Sequence, residues 1–213
     1  MRVEHLGRQP LVDPSAWIAP NAVLSGPVTV GPHSRVLYGA VLTAECGAEV
    51  VVGAECVIME QAVLRGAGRF PLWLGDHVLV GPHAYLSGCR VGARSFLATG
   101  AMVFNGSVVG EACVVALGGK VHVDTELADG TWVPMGYIAF GRPGRIHPPE
   151  QAPAVHEALN RLSFSRYVFG VEPEGKSRAE MMDEITQKYT RALGAHRNDR
   201  IVLDHGSDSR GTP

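Results

Sequence analysis

The chain has 213 residues, enough for one domain with a buried core and an appended segment. Its formal net charge of -2 and pI near 6.5 argue against a nucleic acid or another polyanion as its partner. The 26 glycines and 14 prolines, with only 7% aromatic residues, favour many short strands and turns over long helices.

The sequence predicts a cytoplasmic protein without a membrane partner. No basic and then apolar N-terminal segment indicates a signal peptide, and no apolar run is long enough to cross a bilayer. The four cysteines, Cys46, Cys56, Cys89 and Cys113, include no CxxC pair. In a reducing compartment we therefore expect four free thiols.

An aliphatic residue recurs every six positions over roughly residues 15–140. Four extra residues interrupt this period twice, after Leu42 and after Leu64, and one residue is missing after Leu86. The aliphatic positions are Ile18, Leu24, Val30, Val36, Leu42, Val52, Ile58, Leu64, Leu74, Val80, Leu86, Val91, Leu97, Val103, Val109, Val115, Val121, Leu127 and Val133. Amphipathic helices do not repeat in this way, whereas hexapeptide repeats are typical of a β-helix.

The fifth position of each six-residue unit is small, which predicts a narrow interior position beside the aliphatic one. These residues are Ala22, Val28, Ser34, Ala40, Cys46, Cys56, Ala62, Val78, Ala84, Ser95, Ala101, Ser107, Cys113, Gly119 and Thr125. The pattern predicts an all-β solenoid, a parallel β-helix in which three units make one triangular coil. We expect Cys46, Cys56 and Cys113 to be buried in the small positions, and Cys89 to lie at a corner.

The chain changes character after the solenoid. We predict a β-helix over residues 1–145, a helical segment over 146–196 and a disordered tail over 197–213. Two helices are expected in the middle part. The first has the apolar residues Val155, Ala158, Leu159 and Leu162 on one face, and the second begins with the capping box Ser177–Glu180. Both would pack on the flank or end of the solenoid and cover a strand edge.

The hexapeptide repeats, the stretch VGPHAYLSGC at residues 80–89 and the closing GRPGRI at 141–146 together resemble the γ-class carbonic anhydrase-like family. The resemblance covers nearly the whole solenoid. It implies a left-handed β-helix, a homotrimer, and active sites between subunits. It also implies zinc held by three histidines, a set that leaves one position open for the water that the metal activates.

The family's zinc ligands are replaced in this chain. Arg65, Pro82 and Ser87 occupy the positions that the resemblance assigns to the three histidines. His83 lies one residue from the expected position, and a shift of one residue along a strand turns a side chain to the other face. The family's supporting polar residues match Thr43, Glu45, Val57, Met59 and Glu60. We therefore predict no metal, no cofactor and no zinc-dependent carbonic anhydrase activity.

Residues three units apart should stack in adjacent coils, and two such columns outline a candidate pocket. One contains Ser25, Thr43, Arg65, Ser87 and Phe104, and the other contains Tyr38, Glu60, Pro82 and Thr99. In a trimer the two columns would face each other across a subunit boundary, and the loop at 66–73 would cover part of the pocket. The candidate catalytic residues are Arg65, Glu60, Glu45, Ser87 and His83. The candidate ligand-binding residues are Thr43, Tyr38, Tyr85 and Thr99.

Two interpretations of Arg65 remain open. It pairs with Glu60 or Glu45 across the interface and only holds the trimer together, or it anchors the carboxylate or phosphate of a small ligand. In the second case Glu60 or Glu45 would be the general base, with Ser87 or Tyr85 as hydrogen-bond donors. His83 would be an acid or base beside the pocket.

The sequence leaves three classes of function open. The first is a metal-free enzyme or small-ligand binder, and the second is a non-catalytic scaffold with the same trimer. The third is an acyltransferase or thioesterase that uses coenzyme A, in which His83 or His122 would have to serve as the base. Fold alone does not choose among them. We expect His33, His77 and His83 to lie at outward corners, and we assign His122 no role.

Overall fold

The computed structural model describes residues 1–202, which form a parallel β-helix followed by helices and a final strand. In chain order the strands are β1 (Arg2–Glu4), β2 (Leu11–Val12), β3 (Trp17–Ile18), β4 (Val23–Ser25), β5 (Val28–Val30), β6 (Arg35–Val36), β7 (Val41–Glu45), β8 (Val50–Val52), β9 (Val57–Ile58), β10 (Val63–Ala67), β11 (Leu72–Leu74), β12 (Leu79–Val80), β13 (Tyr85–Ser87), β14 (Arg90–Val91), β15 (Phe96–Leu97), β16 (Met102–Val103), β17 (Val108–Val109), β18 (Val114–Val115), β19 (Lys120–Val121), β20 (Glu126–Leu127), β21 (Trp132–Val133), β22 (Ile138–Phe140), β23 (Arg145–His147) and β24 (Arg200–Val202).

The strands form the three sides of the solenoid. Sheet 1 has the order β23-β22-β19-β16-β13-β10-β7-β4-β1-β24, sheet 2 has β2-β5-β8-β11-β14-β17-β20, and sheet 3 has β21-β18-β15-β12-β9-β6-β3. Each strand of the solenoid pairs in parallel with the strand one coil away, so Phe96 lies beside Val114, eighteen positions further on. The predicted hexapeptide-repeat β-helix is therefore confirmed.

The two four-residue insertions lie beside each other in sheet 1. There β7 and β10 each extend to five residues, and their register pairs Arg65 with Thr43 and Ala67 with Glu45. Beyond β10 the chain makes a tight turn, in which Ala67 and Phe70 form an antiparallel bridge. The insertions thus lengthen two neighbouring strands and project a turn from the side of the solenoid.

The interior follows the alternation of large and small residues. The aliphatic positions from Leu24 to Val133 are buried, and so are the small positions apart from Cys46. The prediction for Cys46 is wrong: it is exposed, because it begins the turn that follows the lengthened strand β7. Cys89, expected at a corner, is buried. The corner histidines His33, His77 and His83 are exposed, as predicted.

The helices after the solenoid are α1 (Ala152–Leu162) and α2 (Arg178–Leu193). The predicted capping box is present: Ser177 Oγ accepts from Glu180 N, and a Glu180 carboxylate oxygen accepts from Ser177 N. A five-residue π-helical segment, Ser165–Phe169, connects the two helices and lies against sheet 1. Within residues 1–202, no helix is long and apolar enough to span a membrane.

The last described residues return to the start of the chain. A short 3₁₀ helix, Gly194–Asn198, leads into β24, which pairs antiparallel with β1 and covers that edge of sheet 1. Within the tail that the sequence predicts to be disordered, residues 197 and 198 end the 3₁₀ helix and residues 200–202 form β24. The rest of the predicted tail, residues 203–213, lies outside the described residues.

Candidate functional site

An ion pair between Arg65 and Glu45 marks the place where the two insertions meet. Both residues are on lengthened strands, Arg65 on β10 and Glu45 at the end of β7. Arg65 Nη2 donates to Glu45 Oε2 over 2.6 Å. Arg65 thus pairs with Glu45 of its own chain, and the predicted pairing with Glu60 or Glu45 across a subunit interface stays a prediction.

The pair is largely removed from water. Glu45 is 8% exposed, and the ring of Tyr189 on α2 lies with its centroid 5.7 Å from the Arg65 guanidinium carbon. Burial opposes the positive charge, but the hydrogen bond and the negative charge of Glu45 outweigh it and raise the pKa of Arg65. The guanidinium has five N–H donors, more than one carboxylate oxygen can accept, so it can bind a second oxygen.

The ion pair lies in a cavity of about 910 Å³. Sheet 1 forms one wall with Arg65, Tyr85, Ser87 and Phe104, and the turn after β10 forms another. The π-helical segment and α2 close the opposite side. A cavity of this size suits a small organic ligand, and its mixture of aromatic walls and a few charged groups is typical of such sites.

The cavity carries an excess of positive charge. Its lining includes four cations and one carboxylate: Arg65, Arg69, Arg166, Lys188 and Glu45. Protein groups hold two of the cations in place. Arg69 Nη2 donates to the Tyr167 carbonyl over 2.7 Å, and Lys188 Nζ donates to the Phe169 carbonyl over 2.9 Å. Neutral carbonyls leave these charges uncompensated, so the site favours an anion.

Aromatic rings surround the cations. Arg69 lies over Phe70 and Tyr167, with its guanidinium carbon 4.6 and 5.2 Å from the two ring centroids. Phe70 approaches the backbone of Gly88, where an added Cβ would collide with the Phe70 side chain. The glycine of the stretch VGPHAYLSGC thus makes room for one aromatic wall of the cavity.

The structure brings four of the predicted site residues together. Arg65, Glu45, Ser87 and Tyr85 all line the cavity, and Thr43 is the strand neighbour of Arg65 without lining it. The turn predicted to cover the pocket does so through residues 67–70.

Four other predicted residues do not line the cavity of this chain: Glu60, Tyr38, Thr99 and His83. All four lie in the turns that connect a strand of sheet 3 to the next strand of sheet 1. That Glu60, Tyr38 and Thr99 reach a site from a second subunit stays a prediction.

Sequence reasoning missed the residues that the C-terminal segment contributes. These include Arg166, Tyr167, Phe169, Lys188 and Tyr189. Their spacing is that of an ordinary amphipathic segment, so it carries no signal for a site. The zinc-ligand positions Arg65 and Ser87, their column of stacked residues and the loop at 66–73 pointed only to the solenoid side of this region.

The residues around Arg65 do not fit a zinc ion. A guanidinium is a permanent cation, a proline side chain has no donor atom, and Ser87 offers only a hydroxyl. Within residues 1–202, one trio of His, Cys, Asp or Glu side chains lies close enough to share a metal. It consists of His5, His196 and Asp199, none of which lines this cavity.

His122 lies behind the cavity wall. Its ring contacts Phe104 and Phe164, with centroids 5.5 and 6.3 Å away, and burial lowers its pKa. Its Nδ1 accepts the backbone N–H of Val123, so the ring is fixed as part of the packing. Nothing about this position gives His122 access to a ligand in the cavity.

Comparisons with known proteins place this architecture among hexapeptide-repeat proteins. The chain is 33% identical to the mitochondrial γ carbonic anhydrase 1 of Arabidopsis thaliana over 145 residues, covering 65% of this chain and 50% of that protein. It is 30% identical to the carnitine operon protein CaiE of Escherichia coli over 110 residues, covering 52% and 56% of the two chains. The chain thus spans about half the length of these curated relatives. No family model matches.

One solved structure gives the same fold. It is a Bacillus cereus protein that its description proposes to be an acetyltransferase, with a TM-score of 0.50 and 20% identity, covering 89% of this chain and 96% of that one. This likeness supports the parallel β-helix with a helical C-terminal segment. At this identity it carries no activity over to the present chain. The location of the Arabidopsis relative in mitochondria leaves a cytoplasmic location as a prediction.

Proposed function

We propose, from the premise that the chain belongs to the γ-class carbonic anhydrase-like family of hexapeptide-repeat proteins, that it binds a small amphipathic anion without zinc. The ligand would place its carboxylate or phosphate at Arg65 and its apolar part against the aromatic rings. The observation that carries the proposal is the Arg65–Glu45 pair inside a cavity of about 910 Å³ whose lining includes four cations and seven aromatic side chains.

The charge balance argues for an anion rather than a neutral ligand. Glu45 pairs with Arg65, and Glu172, outside the lining, lies 3.8 Å from Arg166. Arg69 and Lys188 donate to backbone carbonyls, so among the described residues their charges have no carboxylate partner. An anion that enters replaces water around these groups with charge-assisted hydrogen bonds, each worth about 1.5–3 kcal/mol. Ser87 lies beside Arg65 in the strand register and is a suitable second donor for the same anionic group.

Binding is favoured over catalysis by the position of Glu45. Among the described residues its carboxylate is the only one in the cavity lining, and its Oε2 accepts from Arg65 at 2.6 Å. Acid–base catalysis commonly uses histidine, and no histidine of residues 1–202 lines the cavity. We therefore favour a role of the pair in holding a ligand over one in moving its proton.

We also propose that the functional unit is the family's homotrimer. Its support is a column of outward side chains on sheet 3, in strand register from coil to coil: Trp17, Arg35, Val57, Leu79, Phe96, Val114 and Trp132. One of the seven is charged, and Trp132 is 64% exposed. An apolar stripe of this length on a soluble surface fits association with further copies of the chain.

The ligand proposal is tested by calorimetry with two matched probes, naphthoate and the uncharged naphthylmethanol. We expect wild-type protein to bind naphthoate more tightly by about 10- to 100-fold, the range that one charge-assisted hydrogen bond provides. Arg65→Ala should abolish this preference while retaining naphthylmethanol binding. Arg94→Ala, which removes an exposed arginine paired with Glu111 outside the cavity, is the matched control and should behave as wild type.

The other classes of function are outcomes of the same experiment. Equal naphthoate affinity in wild type and Arg65→Ala would contradict the ligand proposal and leave the scaffold interpretation. Tight binding of coenzyme A that survives Arg65→Ala would favour an acyltransferase or thioesterase with a site elsewhere.

The trimer has its own test. Light scattering coupled to gel filtration should give three times the chain mass for wild type, and Phe96→Glu should reduce it to a single chain. Thr29→Glu on sheet 2, an exposed position on another face, is the control and should stay trimeric. Wild-type protein that runs as a single chain would contradict the proposal.

A further inference from the structure

The first coil and the last described residues meet in a cluster away from the cavity. His5 follows β1, and Asp199 precedes β24, the strand that pairs with β1. His196 belongs to the 3₁₀ helix before that strand. Residues at opposite ends of the chain thus lie in contact, with His5 and Asp199 separated by 194 positions.

The side chains of His5 and His196 both contact the carboxylate of Asp199. His5 Nδ1 lies 2.7 Å from Asp199 Oδ1, and His196 Nδ1 lies 2.8 Å from Asp199 Oδ2. The two imidazole rings lie side by side, with centroids 4.2 Å apart. The donor atoms of all three residues are within 4.8 Å of one another. Two imidazole nitrogens and the two oxygens of one carboxylate are therefore close neighbours.

The cluster is partly buried. His5 is 2% exposed, so its ring is fixed, while Asp199 and His196 remain open to solvent at 18% and 33%. Without a further group, each Nδ1 must carry a proton to donate to Asp199. A divalent cation can replace both protons and neutralise the carboxylate in the same step.

We propose that His5, His196 and Asp199 form a binding site for a divalent transition metal of the zinc class. Two imidazole nitrogens and a carboxylate oxygen are a donor set that suits zinc, with water completing the tetrahedron on the exposed side. Ligands about 2.0–2.1 Å from zinc lie roughly 3.3 Å from one another, so the present nitrogen–oxygen distances must widen by about half an ångström. The partly exposed His196 and Asp199 can make that adjustment.

The site would be structural in effect. The metal would tie the C-terminal strand β24 to β1, and its ligands come together only in the folded chain. Binding therefore stabilises the folded state by mass action. This inference is independent of the proposed function, because none of the three residues lines the Arg65 cavity.

The test is calorimetric titration of chelator-treated full-length protein with Zn²⁺. We expect one site per chain in wild type. His196→Ala should weaken binding by at least about 100-fold, because loss of a supporting partner of a ligand alone costs about 10–100-fold. His156→Ala removes an exposed histidine of α1 and should bind as wild type.

Two further measurements keep the proposal decidable if His196→Ala does not fold. Asp199→Asn retains an oxygen but loses the charge, and should also weaken zinc binding. Co²⁺ bound to wild type should show the intense visible absorption of a tetrahedral site. Absence of stoichiometric zinc binding in wild type, or equal affinity in wild type and Asp199→Asn, would overturn the proposal.

Discussion

The coils with insertions and the regular coils that follow them have the same core but different outer surfaces. Leu64 in the first region and Leu97 in the second are both fully buried. Outside the core, the first region has five-residue strands and a cavity, whereas the second has two-residue strands and open corners. The regular repeat therefore builds the scaffold, and its interruptions help to build the solenoid side of the site.

The arginine–carboxylate pairs of the two regions differ in their exposure to solvent. Arg65 and Glu45 are paired under the aromatic rings of the cavity, with side chains 22% and 11% exposed. Arg94 and Glu111 pair over 2.9 Å on the regular coils, with side chains 66% and 58% exposed. Similar partners and distances thus occur in different solvent environments, which lets substitutions measure what the insertions contribute.

The largest expected difference is in thiol reactivity. Cys46, on the first insertion, is exposed, whereas Cys89 is buried and its pKa is raised to about 12 by desolvation. Because the thiolate is the reactive form, Cys89 should react with a disulfide reagent near neutral pH at least about 1000-fold more slowly than Cys46. Timed labelling measures both rates by peptide mass. Cys46→Ser should remove the fast phase, and fast labelling of Cys89 would contradict the fold.

Core truncation should affect both regions alike. Leu64→Ala and Leu97→Ala each leave a cavity in the same hydrophobic core, on sheets 1 and 3, so each should lower the free energy of unfolding by about 2–5 kcal/mol. Urea denaturation gives both values. A much smaller loss for Leu64→Ala would indicate that the insertions have loosened the core, contrary to the account.

Removal of the arginine should lower the free energy of unfolding more for the Arg65–Glu45 pair than for the Arg94–Glu111 pair. Arg65→Ala leaves Glu45 buried without its partner and should cost about 1–3 kcal/mol, less than a fully buried pair because both groups keep some solvent contact. Arg94→Ala should cost less than about 1 kcal/mol. The same urea experiment compares them, and equal costs would show that the cavity does not shield its ion pair.

The fold was predictable because an aliphatic residue at every sixth position constrains each coil in the same way. Cys46 and Cys89 are exceptions. Cys46 lies at an insertion and Cys89 lies where one residue of the repeat is missing, so the period does not fix either position. The sequence analysis also did not predict the 3₁₀ helix and β24 at residues 194–202. The polar sequence there gave no sign that β24 would pair with a strand two hundred positions earlier.

Only the wall of the site that the solenoid forms was predictable from the sequence. Strand register places Arg65 beside Thr43 and Ser87, so their proximity follows from the repeat alone. The opposite wall comes from Tyr167, Phe169 and Tyr189, whose placement depends on how the helices dock. No local pattern encodes such docking. For the same reason the contact of His5 with Asp199 could not be read from sequence spacing.

The central claim is that the Arg65 cavity binds an amphipathic anion, and a crystal structure with bromonaphthoate bound tests it most directly. The account predicts the carboxylate in hydrogen-bond contact with Arg65 and the bromine, located by its anomalous signal, among the aromatic rings near Phe70 and Tyr167. A cavity that contains only water at saturating bromonaphthoate, or a ligand bound away from Arg65, would contradict it.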